Sequence, residues 1–248
     1  MDNPEFSLRN IVQCEPIFMD SGAFASACLG FTLDPFEVAE IHSRLKADLI
    51  VPLDDIIFSE DNETMINQKV ATTILNTEIL IDLKPKESEI VGPLQGLSLD
   101  VIERLFDAYR SLGIRKFALG GLVFQSSLKQ TIEHIKRVRK LTNGFFLHVF
   151  GRFLHPALLK PIMKAKADSV DGFGYILKSV KGMYIEQKTR KYVAIGALES
   201  VEECPCSVCI DNDILDFQRG DEAAQYLLIR HNIAALIDIK NQSLSELN

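Results

Sequence analysis

Short apolar runs alternate along the chain with longer stretches in which apolar residues recur every three or four positions. The runs Pro16–Met19, Ala47–Leu53, Glu78–Leu83, Ile90–Val91, Lys116–Leu119, Phe145–Phe150 and Ser169–Val170 have the length and composition of strands. Between them, Pro35–Lys46 carries Phe36, Val38, Ala39, Ile41 and Leu45 at helical spacing. Thr64–Asn76, a segment capped by Asp100 and running to Leu112, Ser126–Leu141 and Pro156–Lys166 are also predicted helices. Strands alternating with helices imply a parallel sheet. The residue closing each strand is repeatedly polar or glycine: Asp20, Asp54, Gln95, Gly120, Gly151, Asp171. In a (β/α)8 barrel these ends surround one mouth, so residues far apart in sequence converge on one pocket. A doubly wound sheet is the alternative, but no G-x-G-x-x-G fingerprint supports it.

Composition narrows this picture. With 248 residues, 47% of them hydrophobic, the chain can build one large core and is near the length of a single barrel, although length alone also permits two small domains. No stretch approaches 18 apolar residues, and Met1–Glu5 lacks the charged and apolar regions of a secretory signal. No membrane association and a cytoplasmic location are therefore expected. A formal net charge of -7 argues against broad, non-specific affinity for nucleic acid. Local basic clusters remain, one at Lys129, Lys136, Arg137, Arg139 and Lys140, another from Lys178 to Lys191. Each reads either as a solvated face or as a contact surface.

Three of the five cysteines, Cys204, Cys206 and Cys209, lie within six residues, and His231 follows. Three thiolates and one imidazole are the inventory of a closed tetrahedral zinc site, with one structural Zn2+ per chain. Reactive redox cysteines are the other reading. The isolated Cys14 and Cys28 and the clustered spacing point to a reducing compartment. A closed site leaves no position for water, so chemistry must come from elsewhere. The aspartates after strands are the candidates, although a lone aspartate there is commonly a helix N-cap.

Several short strings, in order, resemble the tRNA-guanine transglycosylase (queuine/archaeosine tRNA-ribosyltransferase) family, with its archaeal branch nearest. They are Met19-Asp20-Ser21-Gly22-Ala23-Phe24, Val51-Pro52-Leu53-Asp54, Gly92-Pro93-Leu94-Gln95-Gly96 and Leu119-Gly120-Gly121-Leu122-Val123. His148-Val149-Phe150-Gly151 with His155-Pro156, Ala167-Asp168-Ser169-Val170-Asp171 and the tail through Leu177 continue the series. The cysteine cluster and His231-Asn232 close it. The resemblance spans about Pro16 to Leu236.

The resemblance implies a (β/α)8 barrel over residues 1–198, with a zinc-binding subdomain and closing helix over 199–248. It implies a pentosyltransferase that exchanges guanine in nucleic acid for a 7-deazaguanine of the preQ0 or preQ1 type, without an organic cofactor. By motif match, Asp171 is the nucleophile that forms a glycosyl ester at C1′, and Asp20 carries the proton to and from the base. Asp54, with Asp55 as the competing residue, accepts from the guanine edge, and Gln95 donates to O6. Gly120 and Gly121 let backbone approach the base, and Ser21 and Phe24 support the pocket. His148 and His155 are expected to be structural. The resemblance also implies a homodimer. The acceptor is expected to be tRNA, with DNA as the alternative because the RNA-binding domains of long archaeal members do not follow the zinc site. A non-catalytic partner subunit is the reading from another class, and an unrelated glycosidase would leave the cysteines unexplained. Departures from the family pattern fall at Ala25, Leu97, Gly172 and Gly174.

Overall fold

A computed structural model describes residues 16–96, 98–122, 127–151 and 155–246. Cys14, Leu97 and Val123 lie outside the described residues. The chain divides into two compact units at Val149/Phe150.

The first unit repeats strand and helix. The strands are β1 (Phe18–Met19), β2 (Leu49–Ile50), β3 (Glu89–Leu94), β4 (Lys116–Leu119) and β5 (Phe146–Val149). The helices are α1 (Ala23–Leu29), α2 (Pro35–Leu45), α3 (Glu63–Leu83), α4 (Leu99–Ser111) and α5 (Leu128–Leu141). All neighbouring strands are parallel and follow chain order. That is the order of a (β/α) barrel, because a doubly wound sheet reverses at a switch point. The sheet also curls. Strands β1 and β5 lie four spacings apart, about 19 Å if the sheet were flat. Yet the rings of Phe18 on β1 and His148 on β5 meet edge-on with centroids 4.6 Å apart.

Local chemistry explains most boundaries. Asp34 caps α2, accepting from the Phe36 amide, with Pro35 at the first helical position where its missing N–H costs nothing. Ser98, rather than Asp100, caps α4, accepting from the Asp100 amide at 3.2 Å. Asp100 lies in the first turn, where its charge suits the helix dipole. The segment Glu78–Leu83 is not a strand: α3 runs through it to Lys84, where Pro85 stops the helix. The apolar run Ile79-Leu80-Ile81 has no breaker before it, so nothing interrupts a helix already formed.

The core of this unit is aromatic around α4 and β4. Phe106, Phe117 and Phe145 pack as tilted and edge-on pairs. The Arg139 guanidinium, counted in the basic cluster from sequence, instead donates to the Thr142 and Phe145 carbonyls and closes α5 onto β5. Tyr109 is fully buried and donates to the Pro93 carbonyl at 3.1 Å.

The second unit contains α6 (Pro156–Lys164), β6 (Ser169–Val170), α7 (Gly174–Val180), the antiparallel hairpin β7 (Met183–Glu186) and β8 (Lys191–Ala194), then α8 (Ser207–Ile210), α9 (Ile214–Gln218) and α10 (Glu222–Ser245). His155 caps α6, its Nδ1 accepting from the Ala157 amide. Leu159, Ile185, Ala235, Leu236 and Ile239 form one core of this unit, joining α6, β7 and α10. Among the described residues no helix is long and apolar enough to cross a membrane.

Gly92 on β3 faces the Tyr109 ring so closely that a Cβ there would lie 2.6 Å from Cδ2. Gly92→Ala is expected to destabilise the protein by about 1–3 kcal/mol through overpacking. Urea unfolding measures this, and an unchanged midpoint would show that Tyr109 moves aside freely.

Candidate functional site

Two groups of residues carry chemistry, one in each unit. In the first, β1 ends at Asp20 and the segment after β2 leads to Asp54. Ser21 bonds to both carboxylates. Its amide donates to Asp20 Oδ1 at 2.8 Å and its hydroxyl lies 3.4 Å from Asp54 Oδ1. Gly22, at φ 79, takes the left-handed conformation that lets α1 start directly after this pair. Asp54 is drawn out of water, and burial with the nearby Asp20 charge pushes its pKa up to about 7. Burial also raises Asp55, against the opposing pull of the Lys69 ammonium. His42 on α2 is buried and donates from Nε2 to the Asp20 carbonyl at 3.3 Å, with burial holding its pKa down.

Gln95, directly after β3, is buried, and its amide serves the segment that carries Asp54. It donates to the Asp55 carbonyl at 2.7 Å and accepts from the Ile57 amide at 3.0 Å. After β4, the Gly120 amide donates to the Leu94 carbonyl at 2.8 Å. Gly121 has φ +74, and a Cβ there would approach the Gly96 amide to 3.4 Å. The positive φ of Gly121 is the conformation that favours glycine there. Phe24 lies on α1 with 45% of its surface exposed. The structure thus brings Asp20, Ser21 and Asp54 together and places Gln95, Gly120 and Gly121 on neighbouring strand ends. His148 is buried at β5 against Phe18.

Asp171 belongs to the second unit. It follows β6, is exposed, and accepts the Gly151 amide on Oδ1 at 2.7 Å. That bond holds one oxygen and orients the other. Gly151 has φ +107, a conformation that favours glycine.

The second unit also holds the metal-type cluster. Cys204, Cys206, Cys209 and His231 place their ligand atoms within 4.8 Å of one another. The three Sγ atoms lie 3.9, 3.4 and 3.3 Å from His231 Nδ1. A tetrahedral zinc with ordinary bond lengths has S···N edges of about 3.5 Å, so the cluster fits the ion. His231 Nε2 donates to the Ile185 carbonyl at 3.0 Å. A carbonyl only accepts, so the proton sits on Nε2 and the Nδ1 lone pair points at the ligand position. Tyr184 stacks on the imidazole at 3.7 Å and 8°, and its hydroxyl meets Cys209 Sγ at 3.5 Å.

Asn232 completes this arrangement. Its side chain accepts from the Ile185 amide and donates to the Met183 carbonyl and Ser179 Oγ, each at 2.8 Å. The pair His231-Asn232 therefore sews α10 to β7 and to α7. Several basic residues outside these groups have local partners. Lys136 pairs with Glu133, Lys188 with Glu203 and Arg190 with Glu246, while Lys178 lies over the Tyr192 ring.

Sequence reasoning missed His42, Lys69, Thr73 and Asn76, all of which touch the segments carrying Asp20 and Asp54. A signal existed on α3, whose polar residues recur at helical spacing within an otherwise apolar stretch.

A family model described as queuine tRNA-ribosyltransferase matches residues 3–242. No curated protein matches the chain.

Metal binding is linked to folding wherever the apo cluster cannot hold its shape alone. Cys206→Ser is expected to lose most bound zinc and to lower the melting temperature. Metal content and thermal unfolding measured on the same sample test this, and full zinc with unchanged melting would remove Cys206 from the ligand set.

Proposed function

From the premise that the chain belongs to the queuine tRNA-ribosyltransferase family, shown by the match over residues 3–242, we propose that it exchanges guanine in a nucleic acid for a 7-deazaguanine, with tRNA as the acceptor. Family membership implies pentosyl transfer on nucleic acid in general. The finer reading is supported above all by one observation: Ser21 hydrogen-bonds to the carboxylates of both Asp20 and Asp54, where burial raises the Asp54 pKa to about 7.

The chemistry then runs as follows. One Asp171 oxygen bonds to ribose C1′ as the C1′–N9 bond breaks, and the bonding pair leaves on N9. Asp20 takes up the proton that Asp54 gives up when the base binds, and passes it to N9 of the departing guanine. The 7-deazaguanine enters, loses its N9 proton to Asp20, attacks C1′ and releases the Asp171 carboxylate. Two inversions retain configuration, as in double-displacement glycosyl transfer. The hydrogen bond from the Gly151 amide to Asp171 Oδ1 supports this role, since it orients the carboxylate. The base-reading group is Asp54, whose anion accepts from N1–H and the exocyclic amine. Ser21, Phe24, Gln95, Gly120 and Gly121 shape the pocket. The metal is Zn2+ and structural, because four protein ligands leave no position for substrate. The catalytic region is residues 1–198, and the subdomain of residues 199–248 carries the metal and mediates a homodimer.

Incorporation of radiolabelled guanine into tRNA, and in parallel into DNA, tests the reading. Label is expected in tRNA and is expected to vanish with Asp171→Ala, which keeps its zinc and melting temperature. Label confined to DNA would move the acceptor, and wild-type turnover in the variant would remove Asp171 as nucleophile. Lack of label in any polymer would favour a non-catalytic subunit.

A second test uses pH. Guanine binds the ionised form of Asp54, so below pH 7 binding must displace a proton. Affinity is expected to rise up to tenfold per unit as pH climbs toward about 7, then to level. Equilibrium dialysis reads it, and the slope should vanish in Asp54→Asn. A slope retained in that variant would assign it to another group.

A further inference from the structure

Helix α3 buries the wrong face for a helix that only packs. Its inward positions include Thr73, Asn76 and Thr77, while Met65, Leu75 and Leu83 are left in solvent. Amphipathic packing would place the leucines inside and the threonines and asparagine outside. The buried polar groups all find partners, as burial demands. Two of them, Thr73 and Asn76, together with the half-buried Lys69, find those partners on one irregular segment.

That segment carries Asp54. Asn76 Nδ2 donates to the Leu53 carbonyl at 2.9 Å, just before it. Thr73 Oγ1 accepts from the Asp55 amide at 2.9 Å, just after it. Lys69 Nζ donates to the Ile56 carbonyl at 2.7 Å and to Asp61 Oδ2 at 2.6 Å, with the Phe58 ring 4.8 Å away. From the opposite side, Gln95 takes the Asp55 carbonyl and the Ile57 amide. Backbone groups on both sides of Asp54 are thus held by side chains instead of by a strand ladder. The residues Lys69, Thr73 and Asn76 follow spacings of four and three, so they form one stripe on α3.

We propose that Lys69, Thr73 and Asn76 are positioning residues that set where the Asp54 carboxylate stands, and so determine how selectively the site accepts a base with a guanine-type edge. The inference rests on the reading of Asp54 as the base-reading group. A ladder-bonded strand could hold the backbone equally well. It could not hold the carboxylate after an irregular turn, where it leaves the sheet direction. The side chains supply that constraint at residues 53–57, within the reach of one helix face.

The test compares wild type with Lys69→Met, Thr73→Val and Thr73→Ser. Lys69→Met leaves the buried Asp61 without its cation and endangers folding, so Thr73→Val, which keeps the side-chain shape and removes only the acceptor of the Asp55 amide, is the safer probe. Amide hydrogen exchange at residues 53–57 and equilibrium dialysis with guanine and with hypoxanthine, which lacks the exocyclic amine, are read in parallel. Thr73→Val is expected to speed exchange in this segment and weaken guanine at least tenfold, with a smaller loss for hypoxanthine, so that the preference shrinks. Thr73→Ser, which keeps the hydroxyl, should stay within twofold of wild type on every reading. Faster exchange with the guanine preference intact would overturn the positioning role, as would unchanged exchange in Thr73→Val. Wild-type protein that binds neither base would overturn the base-reading role of Asp54 and this inference with it, a failure visible without any variant.

Discussion

A carboxyl group withdrawn from water keeps its proton unless the surroundings favour the anion. Asp54 stands in that condition, with the charge of Asp20 nearby and only the Ser21 hydroxyl and its own backbone in compensation. Much of the first unit follows from this constraint. The group cannot wander, because a half-buried acid that swings freely would find water and lose both its shifted pKa and its geometry. The segment around it is therefore bonded residue by residue, from α3 on one side and Gln95 on the other. The price is a helix that leaves Leu75 and Leu83 in solvent. Local hydrophobic gain is given up at a candidate site position, as expected where local and global demands conflict.

The second unit answers a different problem. Its helices α8 and α9 are only four and five residues long and cannot hold themselves together. The Cys3His cluster gathers the cysteine loop onto α10, and the core around it is small and aromatic, with Tyr184 and Phe217 against His231. From there the organisation spreads by hydrogen bonds. Asn232 reaches Ser179 at the end of α7, a helix that begins just beyond Asp171. Metal binding and the order of that helix are thus joined through two consecutive residues of α10. The donor set offers four protein ligands, which would close a tetrahedron around a metal ion.

Reading the chain in one dimension failed where a residue's partner lies far away in sequence. Glu78–Leu83 has a strand's composition, yet α3 passes through it, since helix continuity depends on the absence of a breaker until Pro85. Arg139 looks like one more cation in a basic cluster, but it spans the turn between α5 and β5 and bonds two carbonyls. Ser98 displaced Asp100 as the cap of α4 because the first residue with extended backbone, not the more acidic one, meets the free amides.

The sequence by itself determined the alternation of strand and helix, the strand ends at which Asp20, Gly120 and Asp171 fall, and the donor set of the metal-type cluster. Those features are local: periodicity, turn residues and ligand spacing are written in consecutive positions. Only the tertiary structure decided that the sheet curls until Phe18 meets His148, that Ser21 joins two carboxylates, and that α3 turns its polar stripe toward Asp54. Each of these pairs residues tens of positions apart. Desolvation, which raises Asp54 and lowers His42, is a property of the surroundings and has no signature in a residue's own neighbours along the chain.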